Sequence, residues 1–535
     1  MPITKAEASI ERTENRAAGS KGLHTLLYLL ALVASISVWF LPIHAPLWLD
    51  ETGTYWMISG GLHRIWAYRI VDLIFPAYYY LLWAWTRIFG HSEVILRSFS
   101  ILAMLTAAWF VYLAAREIFN RQTSLIAVIL FSLHFTTFYV AVDVRPYACA
   151  VTAVSLAIYL LLRLRRTDSL ALAALFGLAA ALPVWFHTLW GTYLPALLIA
   201  FFLIKFPSAN PRAAWKQLAA ALATFFLAFL PLIPGILYLF HTSGAHVYAP
   251  APTFFPLYFM LAPGWLPIFY LAFGLVALVI VALKPHRQTN LHLALHWTPS
   301  LRLFLAFVLL GSFPVLIPWG VSRATPIHFF VSMHCAGAIP GLALAWAWLI
   351  DQLRPRILHL PLCLALVTVT ATSYWLSPKS RKHDDSWKYA LQLVEAHAAP
   401  THSPVLICSD YPEADYQKLP SGPANDSRFL AQLSYYKLTV PAYVLPRSLN
   451  SASMQIGSQF LHTAIQKHKQ LFAVAYYHSY PTLAWLTRQA SDSFRVTDLG
   501  TFDGVKVLEF TPRPTPEPPS NPSQKLVKPH KTLTH

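Results

Sequence analysis

The chain has 535 residues, 56% of them hydrophobic and only 12% charged, with a formal net charge of +17. At a mean hydropathy of +0.48, it carries more apolar surface than a soluble fold can hide, so a soluble globular protein is excluded. Nucleic acid is excluded as the reason for the positive charge, because the basic residues cluster in short loops between apolar runs, where they set membrane topology.

The basic start, with Lys5, Arg12, Arg16 and Lys21, enters an apolar run that has no small-residue cleavage site. That pattern predicts a cytoplasmic segment over 1–23 followed by a signal anchor. About 20 apolar residues cross the hydrocarbon. This length predicts eleven spans between residues 24 and 377: 24–42, 94–115, 123–141, 146–163, 168–183, 187–205, 217–239, 264–283, 303–319, 327–350 and 357–377. With the amino terminus inside, the inner loops carry thirteen basic residues and the outer loops and helix edges six. This bias puts the long first connection, 43–93, on the outer side. Of the eight acids in the same region, Asp50, Glu51, Asp72, Glu93 and Asp143 fall outside, which makes the outer face the place to expect chemistry.

The first outer loop opens with "HAPLWLDETGTYWMISGGLHRIW", His44 to Trp66, where Asp50 and Glu51 adjoin among aromatics at the membrane edge. Carboxylates in such a place are unfavourable unless something uses them. Two readings stand: a solvated acid pair at a helix end, or a general base for an acceptor hydroxyl whose neighbour orients it or shares a metal ion. Further along the loop, "FPAYYYLLWAWTRIFG" (Phe75–Gly90) is too short to span comfortably and predicts an interfacial helix. The next outer turn, "YVAVDVRPYACA", holds Asp143, Arg145 and Tyr147, with Pro146 suited to open a helix. Asp143 and Arg145 can pair with each other there, at little gain. Alternatively, Asp143 faces Asp50 across a cavity while Arg145 meets a phosphate.

These runs, taken in order, resemble the GT-C superfamily of polytopic glycosyltransferases that use polyprenyl-phosphate sugars. The likeness is nearest to the protein-mannosyltransferase, aminoarabinose-transferase and rhizobial galacturonosyltransferase group. It rests on "LWLDETGTYWMISGG", "PAYYYLLWAWTRIFGHSEVILRSFSIL", "AREIFNRQTSLIAVIL" and "DVRPYACAVTAVSLAIYLLLR", within roughly residues 24–205. The resemblance implies a catalytic acid in the first outer loop, matching Asp50 with Glu51 adjoining, and a second acid in the next outer loop, matching Asp143. It further implies a polyprenyl-phosphate sugar donor, a glycan, lipid or protein acceptor, and no organic cofactor. A divalent cation stays open, with Asp50 and Glu51 as its candidate ligands. Relatives carry an Arg-Tyr pair opening a late span. Here the text is "SRATPIHFFVSMHCAGAIPG", so Arg323 and His328 join Arg145, Tyr147 and His187 as candidates for the donor phosphate or substrate. For His187, in "VWFHTLWGTY", a hydrogen-bonded aromatic-belt residue is the plainer alternative, and for His328 and His334 it is helix packing.

After Pro378 the composition changes. Strand-like stretches at 404–410, 471–477 and 505–511 alternate with helix-like ones at 387–399 and 481–489, which predicts a small α/β domain over 378–512. An odd span count makes it extracytoplasmic, and the Pro-rich, basic 513–535 reads as a disordered tail. The four cysteines, Cys149, Cys335, Cys363 and Cys408, lie far apart with no CxxC spacing, so neither a disulfide framework nor a zinc site is expected.

The expectation is a multi-pass glycosyltransferase of the cytoplasmic (inner) membrane, transferring a hexose or pentose to an acceptor hydroxyl at the outer face with inversion. A transporter or lipid flippase is the competing class. It would need ionisable groups near helix centres and an inverted repeat. No repeat is found, although His134 and His334 lie mid-span. A non-catalytic membrane scaffold is the third possibility.

Overall fold

The computed structural model describes residues 22–69, 76–208, 210–242, 249–262, 264–282, 299–382, 386–467 and 469–513. The tail expected over 513–535, apart from Arg513, and most of the segment expected over 1–23 lie outside these residues. The chain divides into two units. One comprises Met1–Lys388 with Ala431–Tyr436, the other Tyr389–Leu430 with Lys437–His535.

The first unit is helical. Among the described residues, eight helices are long and apolar enough to cross a membrane: Gly22–Phe40, Glu93–Arg116, Tyr147–Leu164, Thr188–Lys205, Pro211–Tyr238, Leu301–Ala324, Ser332–Gln352 and Arg356–Leu376. The pair Phe254–Leu261 and Leu266–Val276, bent by 57°, makes a ninth if it counts as one broken span. The expected spans 123–141 and 168–183 appear as shorter apolar helices, Arg121–Leu133 and Leu170–Phe186, so among the described residues eight or nine of the eleven expected spans reach full length.

Two histidines end these helices. His134 takes an extended backbone conformation; its Nδ1 accepts from Thr136 N at 3.2 Å and its Nε2 lies 3.1 Å from the Met260 carbonyl. A residue that caps the following turn cannot continue the preceding helix. His187 does the same before Thr188, accepting from Leu189 N at 3.3 Å.

Small residues set the helix packing. A Cβ placed on Gly177 would meet the Ala221 carbonyl oxygen at 2.1 Å, and one on Gly341 would meet Gly311 N at 2.6 Å. Backbones therefore touch at these crossings, as membrane helices do where small residues line the interface. Thr224 Oγ1 adds a hydrogen bond to Ala174 O at 2.9 Å across the first of them. The helix expected over 75–90 is Pro76–Phe89, with Tyr78, Tyr79 and Leu82 buried.

The second unit is an α/β sheet of order β2-β1-β3-β5-β4. Its strands are β1 (Val405–Cys408), β2 (Ala442–Leu445), β3 (Leu471–Tyr476), β4 (Phe494–Phe502) and β5 (Val505–Pro512). β1 runs parallel to both β2 and β3, whereas β5 lies antiparallel between β3 and β4. β1 is buried throughout and β3 almost so, which suits continuous apolar runs covered on both faces. The β4–β5 hairpin turns on Asp503-Gly504, both at positive φ (45° and 92°), the backbone that Asp-Gly favours in a two-residue hairpin. Leu406, Leu445, Leu461, Leu483, Leu486 and Phe510 form the core between sheet and helices, each contributing about 1.5–3 kcal/mol by burial.

Candidate active site

The Leu49–Ser59 helix carries the acid pair in its first turn, where the helix dipole favours negative charge. The two neighbours then diverge. Glu51 points inward and is fully buried, its Oε2 2.7 Å from Arg97 Nη2. Its Oε1 accepts from Val144 N at 2.9 Å and its Oε2 from Trp48 N at 3.2 Å. Arg97, inside the Glu93–Arg116 span, also donates to the Ala45 and Pro46 carbonyls. One buried ion pair thus ties the start of the helix to a membrane span and to the turn 142–146.

Asp50 faces the other way, with 30% of its side chain exposed, and Arg145 Nη2 lies 3.6 Å from its Oδ2. Arg145 is 15% exposed. A charged pair drawn tight has nitrogen and oxygen about 2.7–2.9 Å apart. This one is looser, and Asp50 keeps part of its carboxylate exposed.

Asp143 was expected to face Asp50 across a cavity. It is instead buried, with Oδ1 accepting from Trp48 Nε1 at 3.1 Å and its carbonyl from Ser100 Oγ at 2.6 Å. It therefore positions Trp48, two residues ahead of Asp50, because a buried carboxylate must be satisfied by donors of the fold. The expectation that Glu51 shares a metal ion with Asp50 also gives way. Arg97 and Val144 N already occupy its oxygens, and no group of three or more His, Cys, Asp or Glu side chains that could hold an ion occurs among the described residues. From this pair, Asp50 alone would remain as a protein ligand for an ion.

Tyr147, two residues beyond Arg145, packs its ring 5.8 Å from both His187 and His334, which are 4.9 Å apart. His187 is thus part of a buried cluster. Arg323 is exposed in the last turn of Pro299–Ala324, and His328 is half-buried on the stretch before Ser332. Both stand outside the contacts that join Asp50, Glu51, Asp143 and Arg145.

Sequence reasoning missed Arg97 as Glu51's partner and Trp48 as Asp143's. The signal for Arg97 was available: a cation a few residues inside an apolar span needs a counter-ion. Nothing in the sequence pointed to Tyr436, whose hydroxyl accepts from Leu47 N at 2.7 Å, or to Tyr435, whose ring meets Tyr55 edge-on at 4.8 Å.

Residues 75–238 match the family model described as dolichyl-phosphate-mannose-protein mannosyltransferase. The fold is similar to that of ArnT from Cupriavidus metallidurans bound to undecaprenyl phosphate. Identity is 12% and the TM-score 0.51, over 91% of this chain and 98% of that one. The oligosaccharyltransferase AglB from Archaeoglobus fulgidus, in complex with an inhibitory peptide and a dolichol-phosphate, gives 12% identity and a TM-score of 0.49. That match covers 90% of this chain and 74% of the other. Comparison with curated protein sequences gives no match. The chain is thus similar over residues 75–238 to the mannosyltransferase family model and in its fold to ArnT. The transporter alternative finds no support in these comparisons.

Proposed function

We propose that this chain moves a hexose or pentose from a polyprenyl-phosphate donor to a hydroxyl of a glycolipid, polysaccharide or protein acceptor at the outer face of the cytoplasmic membrane. The observation that carries the site assignment is the contrast between the two acids. The 2.7 Å pair of Glu51 and Arg97 is sealed, whereas the 3.6 Å pair of Asp50 and Arg145 is loose and reachable.

Asp50 takes the proton of the acceptor hydroxyl. The oxygen attacks the anomeric carbon as the bond from that carbon to the phosphate oxygen breaks, inverting the configuration. The bonding electrons leave with the lipid phosphate, and Arg145 stabilises the added charge. Glu51 and Arg97 hold the base in place and are not consumed. Ionisable groups deep in the helices fit this reading, because His134 is engaged by Thr136 and Met260 and braces the fold.

The test is sugar transfer by purified protein from a polyprenyl-phosphate donor, comparing wild type with Asp50→Asn at equal folded yield. Loss of a general base costs about 10²–10⁴-fold in rate. Wild-type turnover by Asp50→Asn would remove the first outer loop from the chemistry.

A further inference from the structure

Three ionisable side chains of the α/β unit, unused by the transfer reaction, converge at one end of its sheet. Asp410 lies just past β1, Arg447 just past β2 and His478 just past β3. Arg447 Nε lies 3.4 Å and His478 Nδ1 3.0 Å from the same oxygen, Asp410 Oδ1.

The topology explains why they meet. The strand order β2-β1-β3 sends the chain from β1 to one neighbour and then back past β1 to the other. The connections at the carboxyl ends therefore diverge between β1 and β3, leaving a crevice there. Open α/β sheets bind ligands in that crevice. Asp410 and His478 follow the two strands that flank it.

The place is also braced. Ser479 Oγ donates to the Arg447 carbonyl at 2.7 Å, and Ser448 donates through N and Oγ to Asp415 at 2.9 and 2.7 Å. Asp410 is 10% exposed, Arg447 20% and His478 36%, so the acid lies at the bottom and the two donors at the mouth. Burial pushes the Asp410 carboxyl up from its ordinary value although Arg447 and His478 pull it down, as expected where water is largely shut out. The Tyr477 ring lies 3.8 Å from the His478 ring, tilted by 42°, and is 51% exposed.

We propose that this crevice is a second ligand site, which takes an anionic group, a phosphate or a carboxylate, carried on a saccharide. Asp410 orients the two donors through Arg447 Nε and His478 Nδ1. The outer edge of the guanidinium, two N–H groups in a fixed fork, matches such an oxyanion. His478 Nε2 supplies a further contact, and the exposed Tyr477 ring offers an apolar face for the sugar. The site lies wholly within the α/β unit and holds whether or not Asp50 is the catalytic base.

The test uses the full chain in detergent, with glucose 1-phosphate, glucuronate, inorganic phosphate and glucose as probes in ligand-observed NMR titrations. Wild type should bind both charged sugars more tightly than glucose, and Arg447→Gln should weaken them by about tenfold or more, the scale of one charged hydrogen bond. His478→Gln should weaken them less. Tyr477→Ala, altering a half-exposed ring with little risk to folding, should weaken glucose 1-phosphate while leaving inorganic phosphate unchanged. Asp50→Asn should bind all probes as wild type does. The proposal is overturned if no charged probe binds wild type, if glucose binds as well as its phosphate, or if Arg447→Gln and His478→Gln bind normally. Binding lost in Asp50→Asn but kept in Arg447→Gln would place the anion at the membrane site and overturn it equally.

Discussion

Two neighbouring carboxylates in one helical turn do different work because one is sealed and the other is not. Glu51 and Arg97 are fully buried against each other, and removing one partner of such a pair typically costs about 3–5 kcal/mol because the other charge is left uncompensated. Glu51→Gln should therefore lower the thermal unfolding temperature in detergent clearly, and Arg97→Met should do the same. Asp50→Asn should unfold near the wild-type temperature while losing turnover, since an open pair of this kind contributes at most about 1 kcal/mol. A Glu51→Gln variant that melts normally but transfers no sugar would mean that Glu51 acts on a substrate or an ion. Asp143→Ala removes the acceptor for Trp48 Nε1. It should raise KM or lower kcat by shifting the start of the helix that carries Asp50, whereas Asp143→Asn, which keeps an acceptor oxygen, should be milder.

At the scale of elements, helix contacts made through glycine leave no slack. Gly311 and Gly341 sit where two long apolar helices cross, and an added Cβ on either would fall within 3 Å of the other helix. Overpacking of this sort costs about 1–3 kcal/mol, so Gly341→Val should reduce folded yield and melting temperature. Gly320→Ala, where a Cβ meets nothing within 4 Å, is the matched control. A Gly341→Val protein as stable as wild type would show that the crossing is looser than its backbone distances imply. In the α/β unit, Gly457 plays the same part beneath Leu486 and Trp485, so Gly457→Leu should destabilise that unit without touching the outer-loop acids.

At the scale of the whole molecule, the bias of basic loops predicts the topology. The four native cysteines are all buried, so a cysteine introduced on the surface reports alone to a membrane-impermeant reagent. Positions 60 and 450 should label from outside, and positions 120, 165 and 210 only after permeabilisation. External labelling at 165 would reverse the orientation and place the Asp50 site inside.

Most of the architecture was legible because a bilayer allows little else. Apolar runs near 20 residues become helices there, since no other element satisfies the backbone in lipid. The strands at 404–410, 471–477 and 505–511 and the acid pair at 50–51 were visible for similarly local reasons. What failed depended on partners distant in sequence: the helix break at His134, the short β2, and the exposed edge strand β4, which lacks a continuous apolar run. The same limit applied to the site. From its residues alone, the sequence determined a polytopic membrane protein with two adjacent acids just past its first apolar run, and its motif order pointed to sugar transfer. Only the tertiary structure decided that Arg97 seals Glu51, that Trp48 occupies Asp143 and that Asp50 stays open beside Arg145. The reason is that a carboxylate's role follows from which charges and how much water surround it, and those come from a helix about 50 and a turn about 90 residues away in the chain.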